Sequence, residues 1–474
     1  MSSYRAKLGT IILFLSDVVI LFLIAGLAIG LRDIIPSIIP LFPEFSRDIS
    51  YAWWFFPVWI MILAYEGAYT RRFTFWDEVK LLWKVALFST LAILSIVFIG
   101  KIGASVSRTV VVFIGMISLI VFPLLRISCK RWLIAAGLLK RKVLILGANE
   151  TGLLALKALR GEPNLGYVVI GFLDDTPRKD TATIDGVKVH RHLDRIERYL
   201  GRADIHDVVI ALPERNKGEL NSLVTRLQHK AASVLYFPDY AGMAVIGTEL
   251  RHFFHTQAFA LEIKNNLAEP LNNFTKRAFD YLVGGLLSLV FLLPLAIISI
   301  LIRLTSPGPA IYRQARIGKN GKPFFCYKFR TMYYDADERL QGILDADPKA
   351  RQEWEEYRKL KDDPRVTPIG QFLRRTSLDE LSQILNILKG EMSLVGPRPV
   401  TQEEIDKYYK DSAELCFSVR PGITGLWQVS GRSNTSFEYR ISLDSWYVRN
   451  WNLWLDIVIL IRTVDVVLKR EGAV

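Results

Sequence analysis

The sequence predicts a membrane protein of mixed class, α plus α/β. It would hold a four-helix transmembrane bundle, a Rossmann-like doubly wound domain, and a mostly helical polar domain entered through one more membrane helix. Three observations predict this. Four apolar stretches fill the first quarter, at 9–31, 51–69, 82–100 and 108–125, each near the ~20 residues a spanning helix needs. Short apolar strands then alternate with helical patterns, which implies a parallel sheet covered on both faces. A further apolar run, 281–302, opens the last third of the chain. The length of 474 residues suits about three domains of ~150 each.

The bundle is assigned to residues 1–130. Asp17, Glu66 and Lys84 interrupt its apolar runs. Such groups are costly in lipid, so they are expected to face the bundle or to snorkel outward. No small-residue cleavage site follows the first run, so it does not read as a signal peptide. Arg5, Lys7, Arg71 and Arg72, with Arg126, Lys130, Arg131, Lys140, Arg141 and Lys142, flank the runs on one side. The 32–50 loop offsets Arg32 and Arg47 with Asp33, Glu44 and Asp48. The positive-inside rule then places both ends of the bundle in the cytoplasm.

Residues 141–250 supply the Rossmann-like domain and 251–275 a linker. KVLILGANETG reads as strand, turn and helix, and YVVIGFLDD, DVVIALP and SVLYFPD as further strands. Gly147 and Gly152 bracket the turn, and Asp174 stands 22 residues beyond Gly152, the context of a dinucleotide fingerprint. Asn149 replaces the glycine at which a backbone would approach a pyrophosphate. The domain therefore reads as packing or regulatory rather than nucleotide-binding.

The net charge of +13 suits nucleic acid, anionic lipid or a phosphorylated substrate. The three cysteines (Cys129, Cys326 and Cys416) are scattered and suggest neither disulfides nor zinc. All six histidines lie between residues 190 and 255. Chemistry in the C-terminal domain must run without histidine.

The run at 281–302 contains Pro294 and has Lys276, Arg277 and Arg303 at its ends. A mid-helix proline breaks a helix. From these residues alone, a spanning helix and a helix that enters and leaves by one face both stand.

RRTSLDELSQILNILKGEMSLVGPRP, residues 374–399, is the richest stretch. Ser377-x-x-Glu380 has the form of a capping box, so a helix is expected to start at Ser377 and end at Lys389-Gly390. Asp379 and Glu380 could simply oppose that helix's dipole. A helix N-terminus would also keep them ionised. Adjacent helical residues point ~100° apart, so one carboxylate could attack while the other holds a metal. Arg374, Arg375, Arg398, Arg420 and Arg432 lie near turns, and Lys328 and Arg330 stand in YKFRTM. Arginine suits phosphate oxygens. A carboxylate nucleophile needs no base, so phosphoryl transfer fits a domain without histidine. Oxygen ligands and phosphate point to Mg²⁺.

The last ~200 residues resemble the monotopic phosphoglycosyl transferases, bacterial enzymes that move a sugar phosphate onto a polyprenyl phosphate. The resemblance rests on GPAIYRQARIGKNGKPFFCYKFRTM, RRTSLDELSQILNILKGEMSLVGPRP, RPGITGLWQVSGR and DSWYVRNWNLWLDI. The order of membrane helices, Rossmann-like domain and catalytic domain matches as well. The resemblance implies a re-entrant membrane helix over 276–303 and a catalytic domain over 304–474, at the cytoplasmic face of the bacterial inner membrane. It implies Asp379 as nucleophile and Glu380 as Mg²⁺ ligand. Arg374, Arg375, Arg398 and Arg432 would contact the substrate, and Lys328, Arg330 and Asp444 would support the site. The implied partners are a UDP-sugar, galactose before glucose, undecaprenyl phosphate and the bilayer, with no nucleic acid. A homodimer through the Rossmann-like domain stays open. Trp451 and Trp454 are expected in the membrane interface. Two rivals are a nucleotide-sugar dehydratase or epimerase, which needs a nicotinamide cofactor, and a non-catalytic scaffold of polysaccharide assembly, which needs no Asp379.

Overall fold

A computed structural model describes residues 2–40, 53–101, 106–175, 183–193, 196, 199–200, 205, 207–213, 215–238, 249–253, 258–262, 266–267, 269–357, 360, 363–431 and 436–469. The chain divides into two compact units, residues 1–241 and 242–474.

The first unit begins with α1 (Ser2–Ile38), α2 (Phe55–Tyr65), α3 (Phe75–Ile99), α4 (Arg108–Ser118) and α5 (Val121–Ala135). Two of these, α1 and α3, are long and apolar enough to cross a membrane. The other two expected spans take different forms. α2 has 11 residues, roughly 17 Å at 1.5 Å per residue, short of a ~30 Å hydrocarbon core. The fourth run forms α4 and α5, bent by 46°. Pro123 in the first turn of α5 has no N–H for the Leu119 carbonyl. The indole N–H of Trp83 donates to that carbonyl instead, at 2.7 Å.

The polar interruptions are paired. Lys84 Nζ reaches Glu66 Oε1 at 2.7 Å. Asp17, Glu78, Arg126 and Lys130 are all buried. The Arg126 guanidinium bonds Asp17, the Ala68 carbonyl and Glu78, and Lys130 Nζ meets Glu78 Oε2 at 2.5 Å. Arg126 and Lys130, read from sequence as loop charges, lie inside α5.

The same unit continues with β1 (Arg141–Leu146), α6 (Glu150–Gly161), β2 (Tyr167–Leu173), β3 (Thr183–Ile184), β4 (Val187–His190), β5 (Asp207–Ile210), α7 (Lys217–Gln228) and β6 (Ser233–Tyr236). The sheet order is β3-β4-β2-β1-β5-β6. All pairs are parallel except β3 with β4. β5 is buried along its whole length, the pattern of a sheet covered on both faces. At the turn after β1, Gly147 has φ +106°, and a Cβ there would lie 2.2 Å from the Ala211 carbonyl. Asn149 accepts from Gly152 N at 2.9 Å and donates to Ala211 O at 3.1 Å. Asp174 Oδ2 accepts from Ala148 N at 2.6 Å. The chain's own side chains therefore take amides that an anion would use.

The second unit opens with the antiparallel pair β7 (Glu249–Phe253) and β8 (Ala258–Glu262), which runs from the end of the segment read as the Rossmann-like domain into the one read as a linker. α8 (Pro270–Val290) and α9 (Leu292–Thr305) follow, bent by 59°. The break falls where Pro294 in the first turn of α9 removes a donor. Next come the hairpin β9 (Ile311–Ile317) and β10 (Pro323–Phe329), then α10 (Ala336–Ala346), α11 (Pro348–Tyr357), α12 (Pro368–Thr376), a 3₁₀ turn (Leu378–Gln383) and α13 (Ile384–Leu388). β11 (Ser393–Val395) pairs parallel with β12 (Gly422–Thr424), and α14 (Phe437–Arg449) and α15 (Leu453–Lys469) end the unit.

A buried polar network ties α8 to this unit's core. Lys276 Nζ donates to Asp280, the Val395 carbonyl and Asp456 at 3.3, 3.0 and 2.7 Å. Ser393 donates to Asp280, and Tyr447 and Trp451 donate to Asp456. Trp451 is 2% exposed. Its expected place in the membrane interface is corrected to a core position, because its indole N–H has a buried carboxylate to bond.

Candidate active site

The site is built where β10, α12 and the 3₁₀ turn meet. Thr367 caps α12 by accepting from Gly370 N at 2.9 Å, and Pro368 follows at its first position. A Cβ on Gly370 would lie 1.9 Å from the Thr331 carbonyl. Only glycine lets α12 approach the end of β10 this closely. α12 delivers Arg374, whose Nε donates to Thr331 Oγ1 at 3.0 Å.

The expected capping box at Ser377 is corrected. Ser377 has φ +56°, ends α12 as its C-cap and makes no side-chain cap bond. The turn from Leu378 then carries Asp379 and Glu380. Glu380 does not reach back to Ser377, because Lys328 Nζ on β10 takes its Oε1 at 2.7 Å. Leu378 and Leu381 pack on a cluster containing Ile298 and Ile302 of α9. The apolar residues beside the carboxylates are thus seated on the bent apolar pair α8–α9. β10 is held from the other side by Asn386, which accepts from Tyr327 N at 3.0 Å and donates to Phe325 O at 2.7 Å. Sequence reading missed Asn386. Its one signal is a lone amide inside the apolar run ILNIL.

A pocket of about 1220 Å³ opens over the two carboxylates. Lys328, Arg330, Arg374, Asp379, Glu380 and Arg398 all line it. Apolar residues line it as well: Leu287 of α8, Phe291 just beyond that helix, and Leu460 and Val464 of α15. Trp427 and Arg440, also missed from sequence, line it too. The Trp427 ring lies 5.7 Å from the Arg398 guanidinium and 5.0 Å from that of Arg440. The cation–π spacing that joins them is invisible in linear order.

The electrostatics differ from a helix N-terminus. Burial pushes the Asp379 carboxyl up to about 6, and Glu380 beside it adds to the rise, against the pull of Lys328 and Arg374. In place of the expected helix N-terminus stands a short, half-buried 3₁₀ turn, and there burial outweighs the groups that favour the charged form. Arg330 spends its two terminal nitrogens on the carbonyls of Pro307 and Ser306, both at 2.7 Å. It braces the pocket wall. Asp444 is 1% exposed and outside the pocket lining. Burial raises its carboxyl to about 8, with Arg398 opposing the rise. Arg375 is exposed and Arg420 lies elsewhere; neither lines the pocket. Arg432 falls outside the described residues. No cluster of three His, Cys, Asp or Glu side chains forms a metal cage among the described residues.

Comparison with known proteins identifies the family. A family profile described as bacterial sugar transferase matches residues 271–470, and one described as CoA-binding domain matches residues 64–238. The chain is 36% identical to a UDP-galactose-lipid carrier transferase of Erwinia amylovora, over 99% of this chain and 98% of that one. It is 36% identical to an undecaprenyl-phosphate galactose phosphotransferase of Salmonella typhimurium, over 100% and 99%. It is 33% identical to a UDP-glucose:undecaprenyl-phosphate glucose-1-phosphate transferase of Escherichia coli, over 71% and 70%. With full-length identity added to a carboxylate pair in a basic pocket, the chain belongs to the bacterial sugar transferase family, alongside these undecaprenyl-phosphate sugar phosphotransferases.

Proposed function

We propose that the protein transfers hexose 1-phosphate, galactose 1-phosphate in the first place, from a UDP-sugar to undecaprenyl phosphate and releases UMP. The reaction would open polysaccharide synthesis at the cytoplasmic face of the bacterial inner membrane. One observation carries the reading: a single pocket is lined by Asp379 and Glu380, by Lys328, Arg374 and Arg398, and by apolar residues such as Leu287, Leu460 and Val464. Such a pocket suits an anionic nucleotide-sugar and a lipid phosphate together. Galactose leads because the two relatives named for it span essentially the whole chain, whereas the glucose enzyme covers 71% of it.

In the first step an Asp379 oxygen attacks the phosphorus that bears the sugar. An Asp–O–P bond forms, the phosphoanhydride bond breaks, and UMP leaves with the electron pair. In the second step a phosphate oxygen of undecaprenyl phosphate attacks the same phosphorus and frees Asp379. Lys328, Arg374 and Arg398 would hold the phosphate oxygens. The two carboxylates fit Mg²⁺, which is commonly held by one or two carboxylates together with substrate phosphates. Glu380 would hold it, and the ion would supply charge neutralisation at the phosphates. The bent pair α8–α9 would re-enter and leave by one face, a reading supported by its 59° bend and by Lys276, Arg277 and Arg303 at its ends.

The test supplies purified protein with undecaprenyl phosphate, Mg²⁺ and one UDP-sugar at a time, and measures UMP and UDP. UMP release that Asp379→Asn abolishes is the expected result. Release of UDP, or UMP release that survives the substitution, would overturn the assignment.

A further inference from the structure

Two arginines meet on one ring of the Asp379 pocket. The Arg398 guanidinium lies 5.7 Å from the centre of the Trp427 ring, and that of Arg440 lies 5.0 Å from it. Arg398, Trp427 and Arg440 all line the pocket. Trp427 is 5% exposed and belongs to the 3₁₀ turn Trp427–Val429. Arg440, on α14, also lies 5.1 Å from the Phe437 ring, which stacks on Tyr408 at 4.3 Å and 12°. Rings on which a guanidinium stacks hold its plane in place, so less freedom is lost when it binds a ligand.

The other cations of the pocket have different neighbours. Lys328 and Arg374 pull on Asp379, and Lys328 is bonded to Glu380. Asp444 stands one turn beyond Arg440 on α14 and is the carboxyl on which Arg398 acts. Burial lifts Asp444 to about 8, so at pH 7 it is mostly uncharged and offsets little of the Arg398 charge. The turn that carries Trp427 packs on α15. Leu460, Val464 and Leu468 of that helix, spaced on one face, line the same pocket.

The proposed transfer needs a second phosphate position, and the inference rests on that reading. A UDP-sugar and the lipid product share the core sugar–P–O–P and differ only beyond the far phosphate. Displacement in line places UMP opposite Asp379 as its bond to the sugar-bearing phosphorus breaks. In the second step a lipid phosphate oxygen forms its bond on that same side. The Asp379–O–P bond breaks, and its electron pair returns to the carboxylate. The phosphate that leaves and the phosphate that arrives therefore need one place, with cations for a monoester of nearly two negative charges. We propose that Arg440 is a further substrate-binding residue, and that with Arg398 on Trp427 it forms this single phosphate subsite, taken first by UMP and then by undecaprenyl phosphate. Two guanidiniums offer paired donors to phosphate oxygens. Lys328 and Arg374, beside the carboxylates, are left to the sugar-bearing phosphate.

The test measures equilibrium binding to the full-length protein in detergent, with UMP and undecaprenyl phosphate titrated singly and together. Wild type should bind either one but not both. Arg440→Gln should weaken each about tenfold, as for one charged hydrogen bond lost, and Arg440→Lys should recover part of both affinities. Uridine has no phosphate and should bind Arg440→Gln as it binds wild type. An equal loss for uridine would make the role of Arg440 structural and overturn the subsite. Simultaneous binding of UMP and lipid by wild type would overturn it too, whether or not the variants fold. So would a variant that loses affinity for one of the two ligands alone. Binding needs no turnover: competition in a protein that releases no UMP from any UDP-sugar would refute the transfer reaction and uphold the subsite.

Discussion

Replacing Lys328 by methionine should shift the acid limb of UMP release toward neutral pH. Asp379 sits at about 6, raised chiefly by burial and then by Glu380, and lowered by Lys328. A carboxyl at about 6 is roughly nine-tenths ionised at pH 7 and about one-tenth at pH 5, since each unit is a factor of ten. An ordinary aspartate at 3.8 would still be about nine-tenths ionised at pH 5. The wild-type rate should therefore fall about tenfold between pH 7 and pH 5. Lys328 Nζ lies 2.7 Å from Glu380 Oε1 and offsets its charge. Loss of the cation disfavours the charged form of Asp379, so its carboxyl rises further. A unit charge at about 6 Å and an effective dielectric near 20 is worth ~3 kcal/mol. Side-chain exposures of 26% for Lys328 and 34% for Glu380 reduce that by solvent screening to about one pH unit. The assay is a single turnover of UDP-galactose without acceptor, followed as UMP from pH 4.5 to 8. Omitting the acceptor matters, because a phosphate monoester titrates near 6 itself. A wild-type limb near pH 4, or a limb that Lys328→Met leaves in place, would refute the reasoning.

Three other perturbations test separate parts of the structure. Asp379→Asn should abolish UMP release yet raise the thermal midpoint at pH 7.5 by about a few degrees. The folded carboxyl holds its proton up to about 6 and the unfolded one only to 3.8. Its charge therefore costs the folded state most above pH 6, and the gain should fade between pH 6 and 4 and vanish below. Lys276→Met should lower stability by about 3–5 kcal/mol, read as a reduced unfolding midpoint, because Asp280 and Asp456 remain buried without their shared cation. Gly370→Ala should cut UMP release about a hundredfold with substrate binding partly retained. The added carbon meets the Thr331 carbonyl, and α12 must carry Arg374 aside.

Much of the architecture is legible in linear order. The apolar runs at 9–31 and 82–100 became α1 and α3, and the strands of the parallel sheet form where KVLIL, YVVIGFL, DVVI and SVLY stand. These signals are periodic and local, and burial on both faces leaves strands almost wholly apolar. Asp379, Glu380 and Arg374 share one pocket because they share one stretch of chain. The misreadings also have physical causes. The sequence SLDE matches a capping box, but Lys328, far away in sequence, takes the glutamate and leaves Ser377 as a left-handed joint. Trp451 looks like an interface anchor until Asp456 is seen beneath it. Arg420 looks like a substrate arginine until the fold sets it beside Arg277 and Lys319.

From the residues alone follow a membrane-associated chain, a parallel α/β sheet and a histidine-free carboxylate pair among arginines, because hydropathy, period and motif are properties of short segments. Tertiary structure alone decided which arginines join the carboxylates, that the fourth apolar run bends near Pro123, and that burial pushes Asp379 up to about 6 from 3.8. Those outcomes depend on desolvation and on charges brought together from distant segments, and neither exists until the chain has folded.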